Sequence, residues 1–432
     1  MSAPVSIRIR MYQVGFGDCF LLSFDYAPRP ARHVLIDCGS MASPKGAPAG
    51  LIMRVARHIA DTVGDDPFAV VATHRHADHV SGFDPGTNGK GPGAVIAGLK
   101  PRFVVQPWTE DPALPTEARA PVARRGMALR RNTLEQLNAV AGQVVAHHVP
   151  RLRRSQTTKR FAAQLDFLGR DNIKNLRAVE NLMTMAPNDY VHAGRGTRLT
   201  RFLPGVTVRV LGPPTVRQHE GVARQRARDN EEFWHLQARS LAFGARAAAS
   251  RTDALFGGYR STSGGAAPTT ARWLVNAMRS ENAEQLLQIV RILDAAMNNT
   301  SLVLLFECGD QKLLFPGDAQ IENWQYALKT PSLRKHLDDI SVYKVGHHGS
   351  LNATPKSLWR IWFPEGSAAP GAARRMVSLL STLEGKHGSK DNDTEVPRGK
   401  LVNALDRETR LQTTESLGAA PYHDEVLVPA LA

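Results

Sequence analysis

Polar and apolar positions alternate from residue 5 to 14, break at Gly15-Phe16-Gly17, and turn apolar again from Cys19 to Phe24. That pattern predicts a strand, a tight turn and a second strand at the start of a sheet. His33-Val34-Leu35-Ile36-Asp37-Cys38-Gly39-Ser40 predicts a third strand, ending in an acid and a glycine. The period then changes: Leu51, Ile52, Val55, Ile59 and Val63 fall at helical spacing, an amphipathic helix covering the sheet. The apolar run 68–72 reads as a buried strand, 94–99 as a short helix, and 101–107 as a strand bounded by prolines.

The middle of the chain differs in character. Residues 108–189 are Arg-rich and poor in strand signals, with helical stretches such as 131–140, and predict a mostly helical insertion. Residues 190–214 return to strands, with Pro204-Gly205 as the turn of a strand pair. Residues 215–270 are polar and end in Gly- and Ser-rich sequence, which predicts a flexible excursion or lid. Within 271–432, residues 271–296 read as helix, 298–315 as a hairpin turning at Gly309-Asp310, 319–324 as a helix start, and Val342-Tyr343-Lys344-Val345 as a strand. One α/β fold in two halves is expected, 1–107 and 271–432, with the strands of 190–214 added and two interruptions.

Composition changes this picture little. With 432 residues, 42% hydrophobic and 22% charged, a buried core is feasible over most of the chain. The net charge of +14 favours polyanionic partners and says nothing about fold. Cys19, Cys38 and Cys308 sit in apolar runs, as expected of buried free thiols rather than of a disulfide scaffold or a zinc module. The amino terminus lacks a basic region followed by an apolar core, and no run of eighteen apolar residues occurs. The expectation is a soluble cytoplasmic protein with no membrane contact; oligomeric state is not legible.

The chemistry concentrates at Thr73-His74-Arg75-His76-Ala77-Asp78-His79, three imidazoles and a carboxylate directly behind the apolar run 68–72. Imidazole and carboxylate suit Zn²⁺, Mn²⁺ or Fe. In an extended chain His74 and His76 point the same way and can reach one ion, while Asp78 and His79 at the next turn can reach a second. Two further stretches carry the same residue types: Leu313-Leu314-Phe315-Pro316-Gly317-Asp318, and Val345-Gly346-His347-His348-Gly349-Ser350. No nucleophile elbow, phosphate-binding Gly-rich loop or dinucleotide fingerprint occurs at a strand-helix junction.

His-x-His-x-Asp-His, followed by a strand ending in Gly-Asp and then His-His-Gly-Ser, resembles the metallo-β-lactamase superfamily. The Val14-Gly15-Phe16-Gly17-Asp18 turn and the Asn298-x-x-Ser301 stretch resemble, more narrowly, its branch typified by the hydrolase domain of bacterial DNA-uptake (competence) channel proteins. The resemblance covers about 5–107 and 190–405. It implies an α/β four-layer αββα sandwich and a metal-dependent hydrolase with two Zn²⁺ or Mn²⁺ ions. His74, His76 and Asp318 would hold one ion, and Asp78, His79, Asp318 and one of His347 or His348 the other, with Asp318 bridging through separate oxygens. Asp78, His347 and His348 are the candidate catalytic groups, and whichever histidine is not a ligand could protonate the leaving group. Asp37 would hold a ligand histidine or the following turn, or simply close the turn before Gly39.

Asn298 stands where most of the superfamily has a further histidine, as is common in this branch. Gly349 and Ser350 are candidate oxygen-binding donors. Asn392 matches the branch's late Asn-x-Tyr-x-His-Pro stretch, but Val396 replaces its histidine, which calls for a different substrate contact or a compensating His387. Branch and charge together point to a phosphodiester, nucleic acid above all. Hydrolysis of a small ester, lactone or phosphorylcholine-type group, or an inactive scaffold acting as a binding module, are the alternatives.

Overall fold

The expected first hairpin is present, Ser6–Tyr12 (β1) running antiparallel to Cys19–Tyr26 (β2). The computed structural model describes residues 3–112, 120–121, 175–219, 298–352, 354–364, 376–388, 395–418 and 420–429. The expected helices at 131–140 and 271–296, most of the 215–270 excursion, and Asn392 lie outside these residues. After β2 come Arg29–Cys38 (β3), Phe68–Val71 (β4), Val104–Pro107 (β5), Asn188–Val191 (β6), Thr207–Gly212 (β7), Val303–Cys308 (β8), Gln311–Phe315 (β9), Val342–Lys344 (β10), Val377–Leu380 (β11), Arg410–Thr413 (β12) and Tyr422–Leu427 (β13). They form two mixed sheets with helices packed against them, an α/β architecture.

One sheet has the order β13-β1-β2-β3-β4-β5-β6, antiparallel as far as β3 and parallel from there on. The other runs β12-β11-β10-β9-β8-β7, parallel as far as β9 and then antiparallel. Period-two alternation sorts the side chains. Ile7, Phe20, Phe24, Ile36 and Val71 of the first sheet join Phe306, Leu313, Phe315, Val342 and Leu379 of the second in one buried cluster. On the first sheet's other face, Leu21, Leu35 and Val70 pack with Val55, Ile59 and Val63 of the helix Leu51–Val63, whose bounds match the sequence reading. On the second sheet's other face, Leu305, Leu314 and Tyr343 pack with Trp324 of the helix Ile321–Lys329 and Leu401 of the helix Gly399–Glu408.

Two details depart from expectation. Residues 198–202 form a short helix, not a strand: Thr197 accepts a hydrogen bond from the Leu199 amide at its start, and Leu199, Phe202 and Leu203 are buried at helical spacing. β7 therefore pairs with β8, not with a local partner. β6 crosses the expected boundary between 189 and 190. Its Asn-Asp-Tyr-Val sequence carries little apolar signal, and it is held as a parallel edge strand against β5.

The three cysteines are buried and unbridged. Among the described residues no helix is long and apolar enough to cross a membrane.

Phe315 packs edge-on against Phe20 of the other sheet, ring centroids 5.6 Å apart, and stands three residues before Asp318. Phe315→Ala is expected to cost about 3–5 kcal/mol, the range for truncating a buried aromatic. Urea unfolding measures it, and a loss below ~1 kcal/mol would show that the two sheets do not depend on this contact.

Candidate metal centre

β4 is buried along its whole length, and the chain stays extended beyond it as far as His76, which caps the turn of helix Ala77–Val80. Extended backbone puts His74 and His76 on one side, and their Nε2 and Nδ1 atoms lie 3.0 Å apart. The helical turn then carries Asp78 and His79 back toward the same space. From the second sheet, β9 delivers Gly317-Asp318 and β10 delivers His347-His348. Gly317 has φ +54, and a Cβ there would come within 2.9 Å of Thr73, so only glycine lets the Asp318 turn close on the histidine segment.

Asp78 Oδ2 lies 2.8 Å from His348 Nε2. Asp318 Oδ2 lies 3.1 Å from His79 Nε2 and 3.8 Å from His348 Nε2. Asp78, His79, Asp318 and His348 form one set of ligand-type atoms within 4.8 Å of one another, and His74, His76 and Asp78 form a second. All six are buried. The choice between the paired histidines is thus made by geometry: His348 joins the cluster. His347 Nε2 stays 3.9 Å from Asp318 and its side chain is 22% exposed. Asp78, not Asp318, is what the His74–His76 pair shares with the other set.

Asp318 also differs from the expectation that both its oxygens face ions. Oδ1 accepts the His347 amide at 3.0 Å and lies 3.5 Å from Lys344 Nζ, which leaves Oδ2 to face the imidazoles.

The groups behind the cluster fix its rings. Asp37 holds a cluster histidine and the start of its segment: Oδ2 meets His79 Nδ1 at 2.7 Å, and the carboxylate accepts from the Thr73 amide and hydroxyl at 2.7 and 2.6 Å. His348 Nδ1 donates to the Ser381 carbonyl at 3.0 Å, so its Nε2 is the nitrogen that faces the cluster. Ser350 Oγ bonds His347 Nδ1 at 2.8 Å, and Asn298 Nδ2 stands 3.5 Å from His347 Nε2. Gly349 serves the turn, with φ +80 and its carbonyl bonded to the Arg398 amide. His387 is partly exposed, its ring centroid 6.3 Å from that of Phe16, which in turn lies 4.5 Å from His348. Asp37, His347 and His348 adopt positive φ, backbone strain of the kind that surrounding structure must enforce.

Two residues with no role assigned from sequence complete the site. Lys344 and Asp18 are fully buried and form an ion pair, with Lys344 also donating to the Gly317 carbonyl at 3.0 Å. Asp18 lies 3.7 Å from His79 Nδ1 and 3.6 Å from His348 Nδ1. A lysine inside an otherwise apolar strand was the signal for this pair, because a buried ammonium needs a carboxylate.

Four buried carboxylates, Asp18, Asp37, Asp78 and Asp318, converge here with one buried lysine. Among the described residues, Asp78 Oδ1 and His79 Nε2 find no hydrogen-bond partner. Buried carboxylates in excess of the lysine need further positive charge, from protonated histidines or from a cation in their place, and the N and O donor set suits Zn²⁺ or Mn²⁺. The residues present therefore fit a divalent metal. No family model matches the chain, and no curated protein matches it. The reading of the site rests on its own geometry.

Electrostatics point the same way. Burial opposes charge on His79 and His348, yet the surrounding carboxylates, Asp318 foremost, outweigh it, raising His79 well above its usual value and His348 to about 9. Burial, with His79 and His76 adding to it, holds His74 well below the usual range. Burial also opposes ionisation of Asp318, but His79, His347, Lys344 and His348 prevail and keep it ionised. A histidine must lose its proton to bind a cation, so loading the site should release protons, and affinity should rise as pH rises toward about 9. Calorimetry of Zn²⁺ binding in buffers of different ionisation enthalpy measures the release; zero protons at pH 7 would contradict this charge assignment.

Proposed function

We propose that the protein is a metal-dependent hydrolase of the metallo-β-lactamase type, its two sheets stacked as the inner layers of a four-layer αββα sandwich, acting on phosphodiesters and foremost on nucleic acid. The observation that carries the reading is the convergence of His74, His76, Asp78, His79, Asp318 and His348, from three separate stretches of sequence, in one buried cluster. The order of the ligand-type residues along the chain agrees with it. The net charge of +14 favours a polyanionic substrate over a neutral ester or lactone.

Bound there, a divalent cation supplies a Lewis acid and water that ionises near neutral pH. The chain's own groups do the rest. Asp37 and the Ser381 carbonyl hold His79 and His348 in the tautomers that leave Nε2 inward. Lys344 holds Asp318 so that one oxygen faces the cluster. His347, oriented by Ser350, is the histidine that reaches solvent and so stands where substrate would arrive. Burial lowers its pKa to about 4, so it begins as a neutral imidazole; an anionic phosphoryl group beside it would raise that value toward the range in which it can pass a proton to a leaving oxygen.

Chelator treatment is expected to abolish hydrolysis of bis-p-nitrophenyl phosphate and of single-stranded DNA, duplex DNA or RNA, with activity returning on addition of Mn²⁺ or Zn²⁺. Activity on lactones alone would reverse the substrate assignment. Failure to bind any metal would favour an inactive binding scaffold.

A further inference from the structure

The parallel strands that carry the cluster at their carboxyl ends have a second feature at their amino ends. Arg32 lies early in β3, Pro67 precedes β4, and Arg102-Phe103 precede β5. Together with Arg198, Arg201 and Phe202 they line an open cleft of about 500 Å³. Pro67 and Thr73 are six positions apart along β4 and the residues that flank it, so the cleft and the cluster lie about 20 Å apart along the sheet.

Four of the seven lining residues are arginines and two are phenylalanines. The phenyl rings pack at 90° with centroids 5.4 Å apart and form an apolar floor. Arg32 lies against that floor, its guanidinium carbon 5.6 Å from the Phe202 ring centroid, while it donates to the Phe202 carbonyl. Arg102, Arg198 and Arg201 are exposed, the last two one turn apart on the same helix. Among the described residues none of these four guanidinium groups is paired with a carboxylate. Arg10, Arg75, Arg177, Arg209 and Arg410, by contrast, each hold one. Two acids next to the cleft are engaged elsewhere: Asp66 turns to His33, and Asp189 accepts from Thr197 and the Arg198 amide.

We propose that this cleft is a second nucleic-acid contact, an anchor for a single strand whose phosphates meet Arg102, Arg198 and Arg201 and whose bases stack on the guanidinium planes above the Phe103–Phe202 floor. Guanidinium forks match phosphate geometry and their flat faces accept a base, so unpaired arginines over an aromatic floor fit a sugar-phosphate strand better than a simple anion. The choice of ligand rests on the reading of nucleic acid as substrate. The anchor itself is separate from the cluster, and adds affinity without touching the bond that is cut.

The test is fluorescence anisotropy of a labelled 20-nucleotide oligothymidylate across a salt series. The variant is Arg102→Ala/Arg198→Ala/Arg201→Ala, and the control Arg54→Ala/Arg57→Ala/Arg334→Ala removes the same charge from exposed positions elsewhere. The cleft variant is expected to bind at least about tenfold more weakly, its log-log salt slope shallower by about 2, while the control stays near the parent. Hydrolysis of bis-p-nitrophenyl phosphate should be unchanged in both. Equal losses in the two variants, or none in the cleft variant, overturn the anchor. A parent that hydrolyses the small diester but binds no oligonucleotide overturns it too and leaves the hydrolase reading standing; a parent that hydrolyses neither while binding the strand through the cleft overturns the hydrolase reading and keeps the anchor.

Discussion

Asp318→Ala is expected to remove more turnover than the loss of any one histidine, on the order of 10²- to 10⁴-fold, the factor that corresponds to about 3–5 kcal/mol for breaking a buried charge pair. One carboxylate oxygen takes the His347 amide and faces Lys344, while the other faces His79 and His348. Its removal would leave Lys344 beside any bound cation with less negative charge between them, and would free the turn that presents both late histidines. His347→Ala touches only the solvent side of the site. His348→Ala leaves the His74, His76 and Asp78 set intact. Rates are to be compared at saturating metal. An Asp318→Ala protein faster than both histidine variants would sink the central role of this carboxylate, and Asp78, the residue common to both sets, would take its place.

Lys344→Met should be strongly damaging to the stability of the second sheet. It leaves Asp18 buried without its cation, a situation that costs about 3–5 kcal/mol. Burial already works against the Asp18 charge, raising its pKa, and Lys344 is the largest influence opposing that rise. The double variant Asp18→Asn/Lys344→Met removes both charges and should recover most of the loss, because a pair replaced together costs far less than a pair broken. Urea unfolding of the parent, both single variants and the double variant gives the coupling directly. Additive losses in the double variant would show that Asp18 and Lys344 act independently.

The outline of the fold was legible where one period ruled a long segment. The helix Leu51–Val63 and the hairpin of β8 and β9 follow from apolar spacing and a Gly-Asp turn alone. β6 was hidden because an edge strand of Asn-Asp-Tyr-Val is stabilised by its ladder rather than by burial. The helix Arg198–Phe202 was hidden because five residues with apolar Leu and Phe read equally as strand until the Thr197 cap is seen. In the site, spacing sufficed for His74, His76, Asp78 and His79, which share one short segment. It could not choose between His347 and His348, adjacent residues separated only by backbone at positive φ. Nor could it show Asp18 beneath the cluster, since that placement depends on its amide bonding the Asp78 carbonyl, and its pairing with Lys344 depends on β10 lying beside β9.

The two contributions to the cluster come from positions far apart in the chain, His79 and Asp318 being separated by 239 residues. Joining ends that distant costs about 5 kcal/mol of chain entropy by loop-closure scaling alone. The cluster is therefore expected to complete only once the two sheets have docked, and interactions formed after the transition state act on the unfolding limb. An ion bound across it would lengthen the lifetime of the native state and leave the rate of refolding where it was.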